Sequence, residues 1–141
     1  MRPSRFSFKK LSLCLVCSAL LCAPVYAASI GFLPQSNNTV KLINLSDASS
    51  SGSPLALGAA PIAWDNSLDA KYSYALLSNG TLQVIDLATK TISNSVALGI
   101  TPIGMVQNHQ TLYILSNKNT VLPVSLANSS APILGSSIAV S

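Results

Sequence analysis

The chain has 141 residues, which is enough for one domain and too few for two of ordinary size. Its formal net charge of +4 comes from four basic residues in the first ten positions, because after residue 27 four lysines stand against four aspartates, with no arginine or glutamate. A neutral chain of this kind cannot gain affinity for nucleic acid from counterion release. Nucleic acid is therefore not an expected partner.

The first 27 residues have the composition of a signal peptide. Residues 1–10 carry the positive charge, residues 11–22 are apolar, Pro24 ends the apolar run, and Val25 and Ala27 are small residues before a cleavage point. A spanning helix needs about 20 apolar residues, and this run is shorter. We expect cleavage after Ala27, a mature chain that is not attached to a membrane, and a periplasmic or secreted location. An uncleaved anchor and a lipoprotein are the alternatives, although no cysteine follows a lipobox.

All three cysteines lie in that apolar run, at Cys14, Cys17 and Cys22. After cleavage the chain would have no disulfide, no thiol nucleophile and no cysteine ligand for a metal. About 114 residues would then bury their core without a covalent crosslink, which chains of this size can do.

Three blocks of sequence recur with a period near 40 residues. The block LALGAAPI at 55–62 recurs as VALGITPI at 96–103. The block NTVKLINL at 38–45 recurs as GTLQVIDL at 80–87 and as NTVLPVSL at 119–126, and YALLSN at 74–79 is matched by YILSN at 113–117. Three unrelated blocks with one period indicate a structural repeat.

The repeat is composed of short β-strands. Segments of six to nine residues rich in Val, Ile, Leu, Tyr and Thr alternate with Gly, Pro, Asn and Ser. The pair Asn79-Gly80 between two apolar runs predicts a tight hairpin with a type I′ turn. No sustained apolar stripe with helical spacing follows residue 28. Four short strands in about 40 residues correspond to one blade of a β-propeller.

At these residues the chain resembles the YVTN-type β-propeller repeats of exported bacterial and archaeal proteins. The stretch from Tyr74 to Tyr113 fits that repeat nearly end to end, and the units on either side fit it in part. The resemblance implies a propeller fold and says little about function, since its relatives include lactonases and subunits of cofactor-dependent dehydrogenases. The Gly-His and Trp-Asp signature of WD40 repeats is missing at the proper phase.

The predicted fold class is all-β, a partial β-propeller of four-stranded antiparallel blades. The repeat divides the chain after the signal peptide (1–27) into one propeller-like domain (28–141), with a partial three-stranded blade at 28–58, a blade at 61–99 and a degenerate blade at 102–141. This makes about eleven strands in about three blades, an incomplete ring, because propellers close with four to eight blades. Pro123 stands where the second unit has Val84, and removes a backbone donor from the sheet.

No residue is predicted to be catalytic, to bind a cofactor or to bind a metal. The only histidine, His109, lies in a polar turn and cannot form a zinc site alone. Asp86 ends a strand where the other units have Asn44 and Ser125, so its expected role is to accept hydrogen bonds in the turn. The remaining acids show no calcium-loop spacing. The aromatic side chains at strand positions are expected to pack in the core or between blades.

We therefore predict an exported binding or scaffolding protein that is not an enzyme and acts through protein–protein contacts. The alternatives are a truncated propeller paralogue without an independent role and, less favoured, a lactonase-like or dehydrogenase-subunit-like enzyme. The open strand at 29–34 has no lysine to protect it and predicts self-association through that edge. Replacing Phe32 with Lys should then weaken association at little cost to the fold.

Overall fold

A computed structural model describes residues 30–140, and in this range the chain forms twelve β-strands and no helix. In chain order the strands are β1 (Ile30–Pro34), β2 (Thr39–Asn44), β3 (Leu55–Ala56), β4 (Pro61–Asn66), β5 (Tyr72–Leu77), β6 (Thr81–Asp86), β7 (Thr91–Ala97), β8 (Pro102–Asn108), β9 (Thr111–Ser116), β10 (Thr120–Ser125), β11 (Ile133–Leu134) and β12 (Ile138–Ala139). The predicted signal peptide and its cleavage site after Ala27 lie outside the described residues.

The strands form three separate antiparallel sheets. The first sheet contains β1, β2 and β3, the second contains β4 to β7, and the third contains β8, β9 and β10 with both β11 and β12 on the outer edge of β10. Each sheet is a meander in which strands adjacent in sequence pair side by side, except that β12 pairs with β10 and not with β11. The all-β prediction is confirmed.

The predicted outer strand of the third sheet is two pieces, which accounts for the difference between the eleven expected strands and the twelve observed. Pro123 of β10 pairs with Tyr113 on one side and presents its carbonyl oxygen to Gly135 N at 2.8 Å on the other. Proline has no N–H to return a second bond on that side. The outer strand is interrupted opposite Pro123, and β11 and β12 pair on either side of the gap.

The hairpin between β5 and β6 differs from the predicted type I′ turn. The loop has three residues, Ser78 to Gly80, and Gly80 N donates to Leu77 O at 3.1 Å. Gly80 has a φ of 81°, whereas Asn79 is not among the residues with positive φ. This is a turn followed by one left-handed residue, the usual design of a three-residue hairpin. Asn38 and Asn119, at the same place in the other units, also have positive φ, of 57° and 53°.

The second sheet is buried on both faces. Along β5, Tyr74 and Leu76 point to one side and Ala75 and Leu77 to the other, and all four are 0% exposed. We call the side of Tyr74, and the equivalent side of each sheet, the front face, and the opposite side the back face.

One interface therefore occurs twice, with the front face of each sheet packed on the back face of the next. Two apolar clusters fill the two interfaces. The cluster between the first and second sheets contains Val40, Leu42, Leu57, Ala59, Ala75, Leu77 and Ile85. The cluster between the second and third sheets contains Tyr74, Leu76, Leu82, Val84, Leu98, Leu112, Ile114, Leu122, Val124 and Leu126.

The sheets are arranged like blades around an axis. The second and third sheets contact one another along their first strands, β4 and β8. Those strands are the inner strands of the stack, and β7 and the β11/β12 pair are the outer ones. In the first sheet β1 matches the second strand of the other sheets, and within the described residues it pairs only with β2. Its inner edge is open.

Candidate functional site

A polar cavity of about 150 Å³ opens at one rim of the stack, between the second and third sheets. Its walls come from the β4–β5 loop, the β8–β9 hairpin and the segment after β10. The lining residues are Ser67, Leu68, Asp69, Tyr74, Gln107, His109, Gln110, Leu126 and Ser129.

Ser67 organises the loop on one side of this rim cavity. Its hydroxyl donates to Asp69 Oδ1 at 2.6 Å and accepts from Tyr72 N at 2.9 Å. The hydrogen bond from Ser67 is the main reason that the pKa of Asp69 lies below its usual value, and the N–H and the charge of Lys71 lower it further. Asp69 is therefore an ionised, solvent-exposed carboxylate at the mouth of the cavity.

Tyr74 forms the floor of the cavity and links it to the third sheet. Its hydroxyl donates to the Ser129 carbonyl oxygen at 3.0 Å, across 55 residues of sequence. Burial raises the pKa of the Tyr74 phenol, and the bond to Ser129 opposes that rise in part. Gln107 Nε2 donates to the His109 carbonyl oxygen at 2.9 Å, while its buried Oε1 has no hydrogen-bond partner. That oxygen is an acceptor available to a donor group in the cavity.

His109 lies in the β8–β9 turn, exposed and with a φ of 51°, as expected for a turn residue. It borders the same cavity as Asp69. No group of three or more His, Cys, Asp or Glu side chains that could hold a metal ion occurs within residues 30–140. The arrangement can accept hydrogen bonds from a small polar or cationic group, and the cavity walls contain no thiol.

Asp86 takes part in the turn after β6 and not in the rim cavity. Its Oδ1 accepts from the N–H groups of Ala88 at 2.8 Å and Thr89 at 3.0 Å. Asn44 accepts in the same way from Ser46 N at 3.1 Å, and Ser125 from Ala127 N at 3.4 Å. The predicted turn role of Asp86 is confirmed. In the other two units an uncharged amide or hydroxyl accepts the equivalent hydrogen bond.

A second polar cavity of about 630 Å³ lies at the opposite rim, between the β5–β6 hairpin and the loop before β8. Most of its lining residues are glycine, serine and threonine, and Lys118 is its only charged lining residue. It is wide and open to solvent.

The front face of the third sheet is apolar, and no other sheet within residues 30–140 covers it. Val106 is 55% exposed, Leu115 is 39% exposed, and Ile103 beside them is 62% exposed. Tyr113 and Val121 complete this surface, which we call the open front face, and Pro123 lies beside them. Alternation along β9 and β10 predicts these side chains on one side of the sheet, although the sequence alone does not show that the side is uncovered.

Phe32 lies in β1, whose inner edge is open, but its side chain faces the second sheet. Its ring stacks on Trp64 of the second sheet, with centroids 4.7 Å apart and planes 18° apart. The aromatic residue was expected to pack between blades, and it does. The expectation that lysine at Phe32 would cost the fold little is wrong, because the change removes this stack.

Solved structures with the same architecture are β-propellers. Apo AztD from Citrobacter koseri superimposes with a TM-score of 0.66 at 18% identity, over 81% of this chain and 32% of that one. The β-propeller domain of Cps50 (Swd1) from Myceliophteria thermophila gives 0.63 at 12% identity, over 79% and 41%. BamB from Moraxella catarrhalis gives 0.58 at 9% identity, over 79% and 35%. The chain thus spans between about a third and two fifths of the length of these proteins.

Neither the protein-family models nor the curated protein sequences give a match to this chain. The identities to the solved structures are low enough that the likeness concerns the fold alone. The protein has the fold of a partial β-propeller with three sheets in an open stack.

Proposed function

We propose that this protein is an exported, non-enzymatic member of the YVTN-type propeller proteins, which acts as a binding or scaffolding module through protein–protein contacts. The observation that carries the proposal is the open front face. An uncovered apolar surface at the end of a stack whose inner faces are all buried is typical of a protein contact site.

Export is supported by the charged, apolar and small-residue segments of residues 1–27. Residues 30–140 contain no helix that is long and apolar enough to cross a membrane. If export occurs as proposed, the intact mass of the protein from the periplasmic or secreted fraction corresponds to a chain that begins at Ala28. A mass that still includes Met1 contradicts this part of the proposal.

Protein contact is tested with a photo-crosslinking amino acid placed on the open front face. We expect the probe at Val106 to give one discrete crosslinked product in the native host, and the probe at Leu68 to give none. Leu68 is the matched control, because it is 68% exposed but lies on the rim loop, away from that face. Equal labelling at both positions, or none at Val106, would contradict a contact role for this face.

The main alternative is an enzyme, and the rim cavity is its candidate centre. Asp69 and His109 border that cavity together, which is the one observation in favour of chemistry there. Hydrolysis of a panel of lactones and esters by the purified protein, lost in both Asp69→Asn and His109→Gln, would replace the proposed function with this one. A truncated paralogue without a role predicts neither a crosslink at Val106 nor hydrolysis of these substrates.

A further inference from the structure

The two ends of the stack are complementary halves of an interface that the chain already makes twice. Inside the chain, a front face packs on a back face between the first and second sheets and again between the second and third. In the part of the chain that the structure describes, the third sheet ends the stack with its front face open, and the first sheet begins it with its back face open. The open back face is formed by Gly31, Leu33, Lys41, Ile43 and Leu45.

Equivalent positions show how much surface the ends leave uncovered. On the back faces, Leu45, Leu87 and Leu126 occupy the same place in the repeat. Leu126 is 4% exposed and Leu87 packs against the first interface, whereas Leu45 is 62% exposed.

The front faces show the same contrast. Leu115 occupies the place of Leu76, which is 0% exposed inside the stack, and yet Leu115 is 39% exposed. Both ends thus expose leucines at positions that are buried or partly buried where a neighbouring sheet is present.

We propose that the partner of each end is a second copy of this chain, with the open front face of one copy packed on the open back face of the other. Two copies joined at both ends form a closed ring of six sheets with twofold symmetry. The inference deepens the proposed function and rests on it in one respect, namely that the end faces are contact surfaces. A heterologous contact of this kind closes into a ring when its rotation permits.

The number of sheets in residues 30–140 is compatible with two copies. Known propellers close with about four to eight blades. Residues 30–140 of one copy supply three sheets, and the same segments of two copies supply six, which lies within that range.

The charges of the two faces permit the contact. The open front face has no charged side chain, and the open back face has only Lys41, at the position of Gln83 in the second sheet. Lys41 can lay its aliphatic stem on the face and extend its ammonium group to the rim. A front-to-front contact would leave both back faces, with their exposed leucines, in water.

The test uses protein expressed from the full-length sequence, purified, and analysed by gel filtration with light scattering. We expect wild type to have twice the mass of one chain. Leu115→Glu on the front face and Leu45→Lys on the back face should each raise the dimer dissociation constant at least about 30-fold, which corresponds to about 2 kcal/mol. Leu68→Lys, the control on the rim loop, should remain dimeric. Circular dichroism verifies that each variant is folded, and Val106→Glu replaces Leu115→Glu if the latter does not fold.

A mixture of the two face variants distinguishes head-to-tail packing from other modes. Each variant retains one intact face, so at a concentration where neither variant dimerises appreciably alone, Leu115→Glu and Leu45→Lys chains should form a mixed dimer. A dimer that is insensitive to Leu45→Lys would show front-to-front packing and overturn the inference, as would a monomeric wild type or open-ended polymers. A monomer that still crosslinks to a different protein through Val106 would overturn the second copy as partner and leave the proposed function in place.

Discussion

Gly80 is the position where a single methyl group should have the largest effect on the hairpin of the second sheet. It has a φ of 81°, and a Cβ added there would lie 2.6 Å from the carbonyl oxygen of Ile100. The Gly80 carbonyl oxygen in turn accepts from Leu98 N at 2.9 Å. The hairpin therefore contacts the connection to the third sheet through backbone atoms, which cannot move aside as a flexible side chain can.

The expected cost of Gly80→Ala has two parts. Placing alanine in the left-handed region costs about 1 kcal/mol of unfolding free energy. Relieving the contact with the Ile100 carbonyl requires a backbone shift, which costs about 1–3 kcal/mol in a packed site. We therefore expect a total loss of about 2–4 kcal/mol.

Gly99→Ala is the matched control. Gly99 also has positive φ, 68°, but an added Cβ there would meet no atom within 4 Å. It should lose only the conformational part, about 1 kcal/mol. Gly80→Asn separates the two parts in the other direction, because asparagine already occupies the equivalent left-handed positions 38 and 119. The Gly80→Asn variant should therefore keep the steric cost and avoid most of the conformational cost.

Urea unfolding at one fixed protein concentration measures these differences, since self-association would make the midpoint depend on concentration. Equal losses in Gly80→Ala and Gly99→Ala would refute the steric argument. A Gly80→Asn variant as stable as wild type would refute it as well.

Three further predictions concern side chains around the rim and the turns. Tyr74→Phe should lose about 1 kcal/mol in urea unfolding, because the Ser129 carbonyl loses its donor. In wild type the pKa of this phenol is raised by folding, so the unfolded chain releases the proton first and stability should fall as pH rises above about 10. The Tyr74→Phe variant should lack that part of the decline. Ser67→Ala should raise the pKa of Asp69 towards its ordinary 3.8, followed by carboxyl carbon NMR, and an unchanged pKa would show that another group lowers it. Asp86→Ala should lose about 1 kcal/mol in urea unfolding and Asp86→Asn less than about 0.5 kcal/mol, since an amide oxygen also accepts from the two turn N–H groups; equal losses would mean that the charge matters.

The hairpins, the strands and the hydrogen bonds within turns could be predicted from the sequence, because residues close together in the chain determine them. The blocks NTV, GTL and NTV mark three hairpins. The first residue of each block lies just before β2, β6 or β10 and has a left-handed backbone conformation, which glycine and asparagine adopt readily. The many apolar residues in β5 and β6 predict strands that bury side chains on both faces of the sheet. Asp86, Asn44 and Ser125 accept from N–H groups two residues further on, so position in the repeat was enough to predict their role.

The prediction of a type I′ turn at Asn79-Gly80 was wrong, because the local sequence does not fix the loop length. The pairing of β5 with β6 fixes the register and leaves three residues, Ser78 to Gly80, in the loop. In a loop of this length only Gly80 has the left-handed conformation. The misjudged cost of changing Phe32 has a similar cause. Its stack on Trp64 joins residues 32 positions apart in different sheets.

The sequence by itself determined the repeat, the strands and the turn residues, because these depend on contacts within about ten residues. Only the tertiary structure decided which faces are covered. Ser67, Gln107 and Ser129 meet at the rim cavity because two sheets pack together, and no local pattern marks them. Leu76 and Leu115 are the same residue at the same place in the repeat, yet one is buried and the other exposed. The difference is the presence or absence of a neighbouring sheet, which is a property of the stack and not of either strand.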